Sequence, residues 1–346
     1  MGFQDLSERE RRVLEAVIQS YVETAEPAGS RTISRRFGLG VSPATIRNTM
    51  SDLEEKGYLY HPHTSAGRVP TDIAYRLYVD SLTRVAPLAS SDRDALAEQL
   101  IAHGRSTIEA ILRRAAQTLS VLTQELGMAV GPRLDQTVLS RLELVRFSSE
   151  RLVLVLTLQG GAARTIFVEV TEPIADNALA EVSVVLNERL AGLTLRDIRS
   201  SLSDRLRDAS MSGGHELLNI FVQERESIFE DPLKRDEGLV LGQASVLAEQ
   251  PEFSSSDKMR RLIALTESNE HLAEVLRRRP PTPGISITIG NEHGDPRFEN
   301  FTIVTSEYRA GSLTGVIGVI GPTRMPYEKV IAIVAHTSRL VSDLLD

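Results

Sequence analysis

The sequence predicts an α+β protein that is built from more than one domain. At 346 residues the chain is long for a single domain. The spacing of its apolar residues indicates helices first, then strands, then a second group of helices, a second group of strands and a last helix. In residues 42–70 a capped helix is followed at once by two short strand-like runs around a polar turn. That order is typical of a winged helix-turn-helix, so we expect such a domain at the N terminus.

Three helix boundaries predict the helix-turn-helix itself. Residues Ser7–Glu10 have the S-x-x-E spacing of a capping box, which starts a first helix. A second, short helix is expected over Ser30–Phe37. The third helix is expected to begin at Pro43 with Ser42 as its cap and to end before Gly57, which suits a left-handed position.

Helical periodicity assigns two faces to the third helix. One side carries the apolar residues that we expect in the core, Ile46, Met50 and Leu53. The other side presents Arg47 and Asn48, which suit guanine and adenine in the major groove. Small residues beside them, Ala44 and Ser51, would let the helix backbone approach the bases. The alternative is an ordinary solvent-exposed helix with polar residues.

Residues 61–68 are expected to form the tip of the wing. Gly67 can take a positive φ, and Arg68 just behind it would be placed for a phosphate or a minor groove. His61 and His63 lie two residues apart, but no carboxylate or thiol is near them in the sequence. We therefore expect a solvated turn and no metal site.

The charge distribution is compatible with DNA binding, although the chain carries a net charge of −8. Residues 1–84 hold 11 basic and 11 acidic residues, whereas the rest hold 28 and 36. Within the N-terminal part, residues 27–51 and 56–71 contain no acid at all. Phosphate binding depends on such local basic surface, although a chance cluster of arginines remains the alternative. The residues expected to contact DNA are Arg31, Ser42, Ala44, Thr45, Arg47, Asn48, Ser51, His63 and Arg68.

The remaining two thirds are predicted to alternate between helices and strands. A helical region over 89–126 either links the domains or pairs with its copy in a dimer. Three strands are expected at 137–147, 151–159 and 163–170, and three more at 284–290, 301–306 and 313–320, with a helical stretch over 174–278 and a helix at the C terminus. Since a three-stranded group needs partners, we expect both groups to complete one sheet around a helical insertion.

No pattern of catalytic residues stands out. The sequence has no cysteine, no G-x-S-x-G and no H-E-x-x-H, so we expect neither an enzyme nor a cofactor. The run GVIGVIG at 315–321 does not have the spacing of a phosphate loop, and close strand packing is the better interpretation of its glycines. Thr323 and Arg324 before the last helix are a weaker candidate for an anion site. The absence of an apolar run of membrane length or of a signal peptide predicts a cytoplasmic protein with no membrane contact.

Three stretches carry a resemblance to a known family. They are SPATIRNTMSDLEEKGYL and HPHTSAGRVPTDIAYRLYVD near residues 42–80, and GPTRMPYEKVI at 321–331. These segments resemble the family of the heat-inducible transcription repressor HrcA, and a weaker similarity extends through NIFVQERESIF and PEFSSSDKMRRLI. The chain departs from the family pattern at Val69, Ala74 and Pro326, and the last of these changes affects the start of the final helix.

The resemblance implies three domains and a function. The winged helix would occupy 1–86, and a GAF-like domain 87–173 and 256–346, with an inserted, mainly helical dimerisation domain over 174–255. It implies a homodimeric repressor of chaperone operons that binds an inverted-repeat CIRCE operator and is kept active by a GroE-type chaperonin. The alternative is a ligand-responsive regulator that uses its GAF-like domain as a small-molecule sensor.

Overall fold

The fold is described from a computed structural model of the chain. The described residues are 6–62, 67–82, 87–101, 108–132, 137–159, 163–170, 174–207, 215–224, 228–229, 238–267, 272–273, 275–276, 284–311 and 313–345. Compact packing divides the chain into two units. The first comprises residues 1–129, 240–307 and 316–341, with the N-terminal domain and most of a five-stranded sheet, and the second comprises residues 130–239, 308–315 and 342–346. No helix within the described ranges is long and apolar enough to cross a lipid bilayer.

The N-terminal domain has the predicted winged helix-turn-helix architecture. Its elements are α1 (Glu8–Thr24), α2 (Ser30–Phe37), α3 (Pro43–Glu55), β1 (Leu59–Tyr60), β2 (Val69–Pro70) and α4 (Asp72–Ser81). The two strands pair antiparallel, with Tyr60 opposite Val69. Ser7 forms the expected capping box with Glu10, and Gly57 follows α3 with a φ of +80°. The predicted boundaries of the three helices are therefore confirmed.

A shared apolar core holds α1, α2 and α3 together. Val17, Ile18, Ile33, Ile46 and Leu53 are completely buried. Because the core face of α3 is fixed in this way, its opposite face must point outward.

The next elements are α5 (Ser90–Ile101), α6 (Ile108–Thr123) and β3 (Leu126–Val130). The expectation of a helix as far as residue 126 is wrong at its end. Gln124 has a φ of +60°, which stops α6, and the buried run from Leu126 forms a strand. Gly127 in that strand lies so close to α6 that a Cβ atom would overlap the carbonyl group of Ala116.

The second unit contains β4 (Leu139–Arg146), β5 (Arg151–Leu158), β6 (Ala163–Glu169), α7 (Asp176–Leu190), α8 (Leu195–Leu206) and α9 (His215–Gln223). The three strands form an antiparallel sheet of their own. Alternate leucines of β5 are buried against the helices, where they share a core with Leu186, Ile198 and Phe221.

The rest of the chain forms β7 (Leu239–Leu241), α10 (Ser245–Ala248), α11 (Ser256–Glu267), β8 (Ile285–Ile289), β9 (Phe301–Ala310), β10 (Leu313–Pro322) and α12 (Tyr327–Leu345). The strand order of the large sheet is β7-β3-β10-β9-β8. Its glycines serve close packing, as predicted. Gly318 lies against the backbone of β9 at Val304, and Gly321 lies against the side chain of Glu125.

This topology confirms the α+β class but corrects the expected composition of the sheet. The strands β8 to β10 are completed by the short, apolar β3 and β7, and not by β4 to β6. Since β4 to β6 share their core with α7 to α9, the domain boundary expected at residue 174 would cut through that core. The residues from Val240 belong with the large sheet, so the insertion also ends earlier than the expected residue 255.

Candidate DNA interface

The outward face of α3 carries the side chains that were expected to read bases. Ala44, Arg47 and Asn48 are exposed, and Ser51 is half-buried on the same side. The Ser51 hydroxyl donates a hydrogen bond to the carbonyl of Arg47 (3.3 Å), so it is engaged within the helix. No acidic residue lies in the N-terminal half of α3, which leaves Arg47 and Asn48 as the chemically distinctive groups on this face.

Two of the expected contact residues shape the start of α3. The Ser42 hydroxyl accepts a hydrogen bond from the backbone N–H of Thr45 (3.1 Å) and lies 2.9 Å from the Thr45 hydroxyl. These contacts satisfy a free N–H at the helix N terminus and define where the helix begins. Ser42 and Thr45 therefore position Arg47 and Asn48 in the free protein.

Helix α2 contributes a second exposed basic surface. Arg31 and Arg35 are both exposed, whereas Arg36 forms an ion pair with Glu23 of α1 and stacks on Phe37. Sequence reasoning selected Arg31 but not Arg35, although Arg35 lies in the same acid-free window. Glu23, which pairs with Arg36, lies outside the acid-free window 27–51 and comes close to it only in the folded chain.

The base of the wing differs from the expectation. The Arg68 guanidinium lies 2.7 Å from the Glu54 carboxylate, and the side chain is only 13% exposed. The backbone of Arg68 pairs with Ala28 through two hydrogen bonds of 2.8 and 2.9 Å. Arg68 was expected to be placed for a phosphate or a minor groove, but here it is engaged by Glu54, an acid just outside the acid-free window.

Gly67 is needed at the wing for space and not for a positive φ. Its φ does not lie in the left-handed region, and a Cβ atom would overlap the carbonyl group of Ala28. The glycine thus allows the wing to lie directly on the segment before α2. The wing tip at 63–66, with the expected contact His63, lies outside the described residues.

An ion pair outside the candidate surface ties α1 to the end of α3. Glu10 accepts hydrogen bonds from Lys56 Nζ (2.7 Å) and from the Ser7 backbone N–H (2.8 Å). The hydrogen bond from Lys56 is the main reason why the pKa of Glu10 is lowered to about 2, against the opposing effect of burial. This pair holds α3 on its scaffold at the end opposite to Ser42.

No cluster of three metal-ligating side chains occurs among the described residues. The features that do occur together are a capped and anchored α3, an exposed Arg47–Asn48 pair and exposed arginines on α2. A winged helix of this kind defines a DNA-binding transcription regulator.

Comparison with known proteins identifies the family. Residues 3–67 match the family model of the LexA DNA binding domain, and residues 109–331 match that of the HrcA protein C terminal domain. The heat-inducible transcription repressor HrcA of Chlorobium phaeobacteroides (strain BS1) is 41% identical over 355 residues, with 100% of both chains covered. The protein of the same name in Geobacter sulfurreducens is 39% identical over 343 residues and covers 99% of each chain.

The chain therefore belongs to the heat-inducible transcription repressor HrcA family, and it is a transcription repressor with an N-terminal DNA-binding domain. The fold agrees with that of a solved structure, described as a hypothetical protein at 2.2 Å resolution, with a TM-score of 0.69. That protein is 22% identical, and the match covers 98% of each chain.

Proposed function

We propose that this protein is a homodimeric repressor of heat-shock chaperone operons, which binds an inverted-repeat CIRCE operator through two winged helices. The observation that carries the proposal is the acid-free, exposed start of α3 in a chain of the HrcA family. A winged helix reads only one half-site, so a two-fold operator requires two copies of it.

Base reading is assigned to α3. Arg47 pairs with a guanine and Asn48 with an adenine, because their donor and acceptor patterns fit those base edges. Ala44 and Ser51 let the helix approach closely. These assignments follow from exposure and from the usual docking geometry of the motif.

Backbone contacts are assigned to the residues that flank this face. Arg31 and its neighbour Arg35 are exposed cations that suit phosphates. His63, which lies outside the described residues, is assigned to the same group from the sequence alone. Arg68 can join it only by exchanging Glu54 for a phosphate, so it contributes less than a free arginine would.

The dimer is proposed to form through the outer face of the β4-β5-β6 sheet. This outer sheet face presents the apolar residues Val145, Phe147, Val153, Val155 and Phe167. Phe147 and Phe167 are 65% and 60% exposed and form an edge-to-face pair at 5.6 Å. Apolar patches rimmed by polar residues are a common sign of a protein interface, and the ion pairs Arg141–Glu143 and Arg151–Glu169 lie beside this one. A second copy related by a two-fold axis would cover it.

A GroE-type chaperonin is proposed as the folding partner that keeps the repressor active. The family resemblance implies this partner, and an uncovered outer sheet face supports it, because exposed apolar surface is what makes a folding chain depend on chaperones. When heat-damaged protein occupies the chaperonin, less active repressor remains and the operons are transcribed.

A footprint of the full-length protein on chaperone promoters of its own genome tests the operator. We expect protection of an inverted repeat whose half-sites are separated by whole turns of the duplex. Protection of a single asymmetric site would contradict two-fold binding. Repressor refolded with and without a GroE-type chaperonin should differ in the fraction that binds this operator, and equal fractions would remove the chaperonin from the mechanism.

A further inference from the structure

Polar contacts fasten the winged helix to the domain that carries the five-stranded sheet. The helix side supplies Asp72 and Arg76 of α4 and the carbonyl of Val22 near the end of α1. The sheet side supplies the carbonyl of Ile287 in β8, the segment 290–293 after β8, and Arg324 before α12. We call this set of contacts the junction, and all of it lies within the first compact unit.

Arg76 makes a two-pronged contact across the junction. Its Nε donates to Glu292 Oε1 (2.7 Å), and its Nη2 donates both to Glu292 Oε2 and to the carbonyl of Ile287 (2.8 Å). Burial alone would raise the pKa of Glu292, but the hydrogen bonds from Arg76 and from the Ile289 N–H outweigh it, so the pKa is lowered. A bidentate guanidinium–carboxylate pair fixes direction as well as distance.

Asp72 makes a second contact one helical turn earlier. Its Oδ2 accepts from the backbone N–H of Asn291 (3.0 Å) and from Asn291 Nδ2 (2.9 Å). Gly290 has a φ of +51°, and a Cβ atom there would overlap the Asp72 carboxylate. The segment after β8 is thus shaped to receive the first turn of α4.

Arg324 holds the far end of α1. Its Nη1 donates to the carbonyl of Val22 (2.6 Å), one of the last four carbonyls of that helix, which lack partners within the helix. The same guanidinium pairs with Glu252 and is only 14% exposed. Between the two arginine contacts, the rings of Tyr75 and Tyr327 pack at 5.8 Å.

The helices that the junction holds also carry the recognition helix. Helix α1 shares the buried Val17 with Ile46 and Leu53 of α3 in one core, and Glu10 binds Lys56 at the end of α3. Because such cores pack in discrete arrangements, α3 cannot turn without α1 and α4. A restraint on α1 and α4 therefore sets the orientation of α3.

We infer that Arg76 and Arg324 are positioning residues for operator recognition. They touch no DNA, but they hold each recognition helix at one orientation on the sheet domain of its own protomer, which is one condition for a dimer to fit a single half-site spacing. This inference rests on the proposed binding of a dimer to an inverted repeat. Its physical basis is preorganisation: a swivelling winged helix would accept many spacings, and each bound dimer would lose more conformational freedom.

The test compares full-length wild-type protein with the double variant Arg76→Gln/Glu292→Gln, which removes both charges of the pair. Each protein is titrated with the operator, with the operator carrying five extra base pairs between its half-sites, and with a single half-site. Five base pairs turn one half-site by about half a helical turn. The wild type should lose at least about 100-fold in affinity on the altered spacing, as loss of a second linked contact predicts. The double variant should lose less than about tenfold, while its half-site affinity stays unchanged.

Three further variants test whether the effect comes from the junction itself. The charge-exchanged pair Arg76→Glu/Glu292→Arg should recover part of the spacing preference. Arg324→Lys keeps the charge but cannot reproduce the guanidinium geometry, so it should also relax the spacing preference. It provides a second test in case Arg76→Gln/Glu292→Gln fails to fold. Arg207→Gln, which breaks an exposed pair with Asp204 on α8, is the matched control and should behave as wild type.

A double variant that keeps the wild-type spacing preference would overturn this inference alone. Wild-type protein that binds the inverted repeat but tolerates the extra base pairs would overturn it as well. Failure of the wild type to bind any inverted repeat would overturn the proposed operator function itself. The positioning role, which depends on that function, would then be excluded as well.

Discussion

Replacing Phe147 and Phe167 together by serine should convert the proposed dimer into a monomer at working concentrations. These rings are 65% and 60% exposed, so together they offer about 250 Å² per protomer, taking about 200 Å² for a whole phenylalanine side chain. At about 25 cal/mol per Å² this area corresponds to about 6 kcal/mol per protomer when fully covered. In a two-fold interface each protomer contributes the same surface.

Only part of that transfer energy is expected as dimer affinity. Association costs rigid-body freedom and side-chain order, so we take a quarter to a half of the symmetric total, about 3–6 kcal/mol. Since each 1.4 kcal/mol is a factor of ten, the dimer dissociation constant should rise about 100-fold to 10,000-fold. The double variant leaves the core of β5 and α7–α9 intact, because neither phenylalanine belongs to it, although each protomer loses the contact between the two rings.

Sedimentation or light scattering over a concentration series measures this change, and operator titration measures its consequence. The variant should bind a single half-site as the wild type does but lose the extra affinity of the inverted repeat. Ile263→Ser on α11, where the residue is 47% exposed, is a matched control outside the expected dimerisation domain and should leave the dimer intact. A double variant that stays dimeric would refute the assignment of the interface to the outer sheet face.

Arg47→Ala should weaken operator binding by about 1–3 kcal/mol and relax preference at one base pair in a binding-site selection; an equal loss on every sequence would show that Arg47 contacts phosphate. Glu54→Gln should release Arg68 and steepen the salt dependence of operator binding by about one unit or less, because one more cation becomes available, and an unchanged slope would exclude Arg68 from the interface. The pKa of Glu10 is lowered from 4.5 to about 2, so its pair with Lys56 stabilises the fold above about pH 4.5 and loses that effect as the pH falls to about 2. Glu10→Gln should therefore reduce the free energy of unfolding of the winged helix by about 2 kcal/mol at pH 7, less than the full pKa shift implies because the pair is partly solvated, and hydrogen exchange of the α1 amides should show this difference shrinking below pH 4.5.

The N-terminal domain could be predicted closely because its signals are local. A capping box at Ser7, a cap at Ser42 and a glycine after α3 mark helix ends through hydrogen bonds that span three or four residues. The period of α3 likewise separates Ile46 from Arg47 without any knowledge of partners. The base-reading assignments that follow from this face remain predictions until DNA binding is measured.

The sheet could not be predicted in the same way, because strand partners lie far apart in the chain. The strand β7 has three residues, and β3 follows a helix without a clear break, so neither stands out by periodicity. Each becomes a strand only because β10 and its neighbours offer hydrogen-bonding partners. The grouping of β4 to β6 with the helices after them depends on a shared core, which a pattern of alternation does not specify.

The sequence by itself determined the winged helix, the residues on the outer face of α3 and the family, because caps, periodicity and long motifs are properties of neighbouring residues. Only the tertiary structure decided which charges are available. In the folded chain Arg68 pairs with Glu54 and Arg36 pairs with Glu23. Arg76 pairs with Glu292, which lies 216 residues further along the sequence. Ion pairs depend on distances of a few ångströms between side chains, and those distances are set by the packing of whole elements and not by separation along the chain.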